Sequence, residues 1–189
     1  MKTEYLERGL DFESYLEKAD MNVPTMKANF ADTKIRSEDD AYFGSLAEKL
    51  PREAISIACF SESWCGDCVE NLPIVAKMAS TYPIFRLYVF PRDLNLDIMD
   101  EYFGEGFRTI PVFIFYDPNG EEIGRFIERP KGAHAFMDQA KEQLAGLPPE
   151  ELKRGMYRAR TKLRKLYKDG LRDETVSEIR RLVEKRYGP

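Results

Sequence analysis

Histidine and cysteine are scarce in this chain. Its 189 residues include one histidine, His134, and three cysteines, Cys59, Cys65 and Cys68. A zinc site built on a Cys-x-x-Cys pair needs a second ligand pair, and Cys59 and His134 do not form one. Long apolar runs are missing too. The start, Met1-Lys2-Thr3-Glu4-Tyr5-Leu6-Glu7-Arg8, has no apolar stretch suited to a signal peptide, and no later stretch approaches membrane-spanning length. These absences lead us to expect a soluble protein, off the membrane and cytoplasmic. Three cysteines, two of them in one motif, fit a reducing compartment where a disulfide is a turnover state and not a staple. Internal repeats and low-complexity segments are also absent. With 43% hydrophobic and 12% aromatic residues, the chain can bury one substantial core with appendages.

Charge is unevenly spread. Residues 1–147 hold 16 Lys and Arg against 26 Asp and Glu, a balance of −10, whereas residues 148–189 hold 13 against 7, a balance of +6. The tail is therefore a separate electrostatic object. Leu147-Pro148-Pro149 marks its boundary, because paired prolines interrupt a helical pattern.

The most informative segment is Trp64-Cys65-Gly66-Asp67-Cys68, preceded by the apolar run Ala54 to Phe60 and followed by a helical pattern. A strand feeding a helix through two thiols three residues apart can make a redox site. The first thiol sits where unpaired backbone N–H groups and the positive end of the helix dipole stabilise a thiolate. The second, one turn on, is close enough to form a disulfide. A chance or structural pair is the competing reading. Cys59, on the strand, reads first as a small buried hydrophobe and second as a possible third thiol. His134, distant in sequence, reads as a surface or packing residue, and Glu70 as an acid favoured at a helix start.

Periodicity gives helices, then a mixed core, then helices again. Residues 4–19 read as one or two short helices broken at Gly9-Leu10-Asp11, and Asp39 to Leu50 as an amphipathic helix. Strand 54–60, helix 65–81 and strand 84–90 form a right-handed parallel unit. Asn95 to Phe103 reads as a short helix capped by Asn95, with strand-end and turn chemistry at Arg92 and Asp93. Strands 111–116 and 122–127 flank Asp117-Pro118-Asn119-Gly120 in an antiparallel hairpin. Lys131 to Leu144 closes the core. In the tail, Leu152, Met156, Ala159, Leu163 and Leu166, then Val176, Ile179 and Val183, make the apolar stripes of two helices joined at Gly170.

That order of elements, with the dithiol at the first strand-to-helix junction, resembles the thioredoxin superfamily over roughly residues 52–146. Pro73, eight residues after Cys65, matches the proline of the family's active-site helix, and Gly106 to Pro111 resembles the segment that ends in its cis-proline. The resemblance implies an α/β fold, a thioredoxin-like mixed four-stranded sheet flanked by helices. Extra N-terminal helices (1–51) and a basic C-terminal helical hairpin (147–189) would extend the core. It further implies a thiol–disulfide oxidoreductase with catalytic Cys65 and Cys68, and substrate contacts at Trp64, Gly66, Asp67, Thr109, Ile110 and Pro111. No metal and no organic cofactor is implied. Implied partners are a disulfide-containing protein or a small-thiol substrate, and an external reductant such as a thioredoxin-reductase-type enzyme.

Three positions depart from the family. Asp67 replaces the usual proline between the cysteines, and a carboxylate there opposes a neighbouring thiolate. Cys59 stands where thioredoxins have a buried aspartate that helps deprotonate the second thiol. Glu128 replaces a glycine beside the groove, which is then narrower and more charged. The basic residues of Arg125 to Lys131 are placed to receive an anionic thiol or substrate, but a glutathione-binding Gly-Gly pair is absent. The hairpin's basic face, Lys153 to Lys168, reads as solvated, with the hairpin packed on its own acidic body outside the active-site face. Sparse aromatics in the tail argue against nucleic acid. The competing function is a non-catalytic binding module docking partners through the Ile110-Pro111 face or the basic tail.

Overall fold

The fold was obtained as a computed structural model, which describes residues 3–189. Its centre is a four-stranded sheet in the order β2-β1-β3-β4, formed by β1 (Ile55–Ser61), β2 (Phe85–Pro91), β3 (Val112–Tyr116) and β4 (Glu122–Ile127). β1 pairs in parallel with β2, Ile55 opposite Phe85 through Ser61 opposite Pro91, and antiparallel with β3, Cys59 opposite Phe113. β3 and β4 form the expected antiparallel hairpin. In its turn the Asp117 carboxylate accepts the N–H groups of Asn119 and Glu121, both at 2.9 Å.

β1 is apolar at nearly every position because both faces of the sheet are covered. On one face Ile57, Cys59, Val89 and Phe115 pack with Leu72 and Val75 of α5 (Gly66–Thr81), Met137 of α7 (Lys131–Leu144) and Ile179 and Val183 of α9 (Arg172–Tyr187). On the other, Ala58, Phe60, Val112 and Ile114 pack with Ile98 and Met99 of α6 (Leu96–Phe103). Cys68 belongs to this second cluster and Cys59 to the first.

The N-terminal segment holds α1 (Thr3–Leu6), α2 (Phe12–Lys18), α3 (Val23–Asp32) and α4 (Ser37–Lys49). Between α1 and α2, Leu10 forms a bridge with Val89, exchanging backbone hydrogen bonds of 2.9 and 2.7 Å. Gly9 allows this approach, since a Cβ there would lie 2.8 Å from Tyr88 Cβ. Helix α3 is not anticipated by periodicity. It opens at Asn22 in the left-handed region and has Pro24 in its first turn. Asn95 occupies the N-cap position of α6, but its side chain donates back to Pro91 O at 2.7 Å and does not cap the helix.

The tail forms α8 (Pro149–Leu166) and α9, joined over Tyr167–Leu171 by a kink at Gly170, whose backbone is non-helical at φ 138°. Helix α9 lies against β4, where Gly124 leaves room for Leu182, and reaches α4, where buried Asp39 accepts from Ser177 Oγ at 3.1 Å. Helix α8 lies along α7, with Gly155 against Leu144. Among the described residues no helix is long and apolar enough to cross a membrane.

Candidate active site

Cys65 is the N-cap residue of α5, and its Sγ accepts the Cys68 N–H at 3.4 Å. Its thiol donates to Ile110 O at 3.5 Å, across from the Ile110–Pro111 peptide, which is cis. The Cys68 thiol, by hydrogen bonding, and the backbone N–H groups of Cys68 and Asp67 hold the Cys65 thiol below the ordinary range, against burial and the Asp67 carboxylate. Cys68 is fully buried, and burial followed by its bond to Cys65 pushes it well up. The Ser61 hydroxyl and the Glu62 backbone pull it partly back. All three cysteines are free thiols. Cys59 is fully buried, and burial raises it as well.

The other positions singled out by sequence lie close by. Trp64, Gly66, Asp67, Thr109 and Ile110 line a cleft of about 680 Å³ together with Cys65. Trp64 is 48% exposed, and the Arg92 guanidinium stacks over its ring at 4.9 Å. Arg92 also pairs with Asp93 at 2.7 Å and donates to Arg108 O at 3.0 Å, so it does more than end a strand. Arg129 pairs with Asp67 at 2.7 Å and with Glu128. Burial raises the Asp67 carboxyl and Arg129 partly offsets it. Glu128 has φ 65°, the left-handed backbone that glycine would adopt without cost, and its N–H donates to Pro111 O at 2.7 Å. Arg125 is paired with Glu122 at 2.7 Å. Of the basic residues in 125–131, Arg125 and Arg129 are thus engaged by neighbouring acids, and Lys131 is exposed.

Two expectations, for the hairpin and for Glu70, are corrected. The hairpin is not outside the active-site face: Met156, Tyr157, Arg160, Leu163, Arg164 and Tyr167 line the same cleft as Cys65. The cause is the stripe itself. Leu163 and partly buried Met156 pack into the core and also line the cleft, which brings their neighbours Tyr157, Arg160 and Arg164 to its wall. His134 also lines the cleft. Glu70 is not an exposed decoration of the helix start. It is buried, takes a hydrogen bond from Asn29 Nδ2 at 3.2 Å, and is pushed up to about 7 by burial, against the pull of Arg172, Arg164 and Lys168.

Behind the dithiol lies a polar network that the sequence reading missed. Asn71, fully buried, has three acceptors sharing the two hydrogens of its Nδ2, Asp67 O at 3.0 Å, Glu128 O at 3.1 Å and the Tyr167 hydroxyl at 2.8 Å, while its Oδ1 accepts from Thr175 Oγ1 at 3.0 Å. One side chain therefore ties the active-site helix, the loop after β4 and the hairpin together. Helix α5 is buried at every position over residues 68–76, so polar residues 70 and 71 within that stretch were the available signal.

A sheet of this order, with a dithiol at the start of the helix after β1 facing a cis-proline loop, defines a thioredoxin-like protein. A thioredoxin family profile matches residues 9–141, and the chain belongs to the thioredoxin family. It is 34% identical over 82 residues to thioredoxin H4-1 of rice, Oryza sativa subsp. japonica, covering 43% of this chain and 60% of that one. It is also 28% identical over 82 residues to the mitochondrial thioredoxin O of rice, covering 41% and 44%. The chain thus spans about half the length of these relatives. Among solved structures, a protein of unknown function from Pseudomonas aeruginosa superposes with TM-score 0.69 at 17% identity over 98% of both chains. An HIV epitope-scaffold gives TM-score 0.67 at 14% identity over 96% of both. These likenesses extend the shared fold to the added helices.

Proposed function

We propose that the protein is a thiol–disulfide oxidoreductase in which Cys65 attacks a substrate disulfide and Cys68 resolves the mixed disulfide. The observation that carries this is the position of Cys65, at the N-cap of α5 with its thiol lowered while Cys68 is raised and buried. Trp64, Gly66, Asp67, Thr109, Ile110 and Pro111 orient the partner, and an external reductant of the thioredoxin-reductase type restores the dithiol. Such a cycle suits a reducing compartment such as the cytoplasm.

Brief alkylation at neutral pH with peptide mapping should label Cys65 before Cys68 and Cys59. The pH midpoint of labelling should fall below the ordinary thiol range. A Cys68→Ser variant should stall as a mixed disulfide through Cys65 and so identify the substrate. Faster labelling of Cys68, or oxidation that leaves both motif thiols free, would overturn the assignment. Failure to reduce any disulfide, with partner binding retained, would favour the binding-module reading.

A further inference from the structure

The cleft beside Cys65 has an uneven charge balance once its internal pairs are counted. Of its three acids, Asp67 and Glu128 are engaged by Arg129, and Glu70, buried and pushed up to about 7, is held mainly in its neutral form by burial while Arg172, Arg164 and Lys168 pull against it; Arg108 is engaged by Asp100. Arg160 and Arg164, one turn apart on α8, line the same cleft and have no ion pair or hydrogen bond among the described residues. Both are exposed. Arg129 Nε is buried without a hydrogen-bond partner. A cleft of about 680 Å³ is within the range of small-molecule sites. Helix α8 thus contributes to the lining of the cleft that holds Cys65.

We propose that the cleft takes a small disulfide bearing anionic groups, carboxylate or phosphate, with Arg160 and Arg164 receiving the anion while Cys65 attacks the sulfur. This rests on the dithiol reading above. In the reaction the Cys65 thiolate forms a bond to one sulfur of R–S–S–R, the S–S bond breaks, and one RS⁻ leaves and takes a proton from solvent. Cys68, deprotonated, then attacks Cys65 Sγ and expels the second RS⁻. Two electrons pass from the dithiol to the substrate, and Cys65 and Cys68 end as a disulfide. The arginines act on approach and residence of the anion. Two such exposed contacts correspond to about tenfold in rate at low salt.

The test uses the full, pre-reduced chain in single turnover with three disulfides of like size: 3,3′-dithiodipropionate, bis(2-hydroxyethyl) disulfide and cystamine. Each rate is divided by that of the same disulfide with free dithiothreitol, which removes intrinsic reactivity. The normalised rates should fall in the order dianion, neutral, dication. The anion-to-neutral ratio should be about tenfold at low salt and should shrink at about 0.5 M NaCl. Arg160→Gln with Arg164→Gln should lower that ratio by about tenfold, whereas Arg154→Gln with Arg158→Gln, on the same helix but outside the cleft, should keep it. Equal normalised rates, or a ratio unmoved by salt and by the cleft pair, overturns the inference. Because the salt series needs no variant, a misfolded substitution does not rescue the proposal. If the neutral disulfide also leaves Cys65 and Cys68 unoxidised, the dithiol reading itself fails.

Discussion

The two helices of the C-terminal hairpin follow one another in sequence but are held to the body in different ways. Helix α9 buries Thr175, Val176, Ile179 and Val183, and its cations meet acids of the body: Arg180 lies 3.2 Å from buried Asp39, and Arg186 pairs with Asp117. Helix α8 buries only Gly155 and Leu163, and its seven Lys and Arg stand against two Glu in its first turn, with no ion pair to the body among the described residues. A positive tail on a negative body thus pairs charge along one helix only. Where it pairs, the helix is structural. Where it does not, two of the seven cations, Arg160 and Arg164, line the cleft that holds Cys65.

Substitution of core residues should separate the two helices most strongly. Ile179 is fully buried, so Ile179→Ala should cost about 2–5 kcal/mol by urea denaturation. Arg160→Gln with Arg164→Gln, on the exposed face of α8, should change stability by no more than about 0.5 kcal/mol. Equal losses would mean that α8 is held by its cations and that the comparison fails.

The stripes of both helices were legible because a 3.6-residue period shows which face is apolar. The period does not show which neighbour that face meets, so the place of α8 beside the dithiol was not legible. The same limit explains Glu70 and His134, read as bland from sequence although tertiary packing brings both to the cleft. The strands, the dithiol junction and the Asp117–Gly120 turn were legible since each is set by local signals: long apolar runs, thiol spacing and turn residues. Helix α3 lacked such a signal, having only Met26 and Asn29 buried among its ten residues. Cys59, opposite Phe113 on β1, was legible as buried, but its separation from the cluster that holds Cys68 depends on strand register.

Glu70 lies under the junction of the two helices, and its pH response measures how the junction handles charge. Burial raises its carboxyl from 4.5 to about 7, and Arg172, Arg164 and Lys168 pull the other way. The folded state therefore holds this proton more tightly than the unfolded chain. The resulting stability is full below about pH 4.5 and is lost as pH rises through 7. Glu70→Gln removes this dependence, so its stability relative to the parent should rise by about 2 kcal/mol between about pH 5 and pH 8. Chemical denaturation at a series of pH values checks this, and a flat difference would mean that Glu70 stays ionised throughout.

Tyr167 is where α8 ends and the turn into α9 begins, and it offers the smallest and most local test. Its ring is 1% exposed, and its hydroxyl accepts from Asn71 Nδ2 at 2.8 Å. Tyr167→Phe keeps the packing and removes that one acceptor, while Asn71 retains the carbonyls of Asp67 and Glu128. Loss of a single buried hydrogen bond, with one carbonyl left for each of the two Nδ2 hydrogens, should cost about 1 kcal/mol at most. That lies between the α9 core substitution and the α8 surface pair. The denaturant slope should be unchanged, since no surface is newly exposed. A loss near that of Ile179→Ala would show that the hydroxyl, and not the apolar stripe, anchors the hairpin. No loss would show that the two remaining carbonyls suffice for Asn71, and that the hairpin is joined to the active-site helix by packing alone.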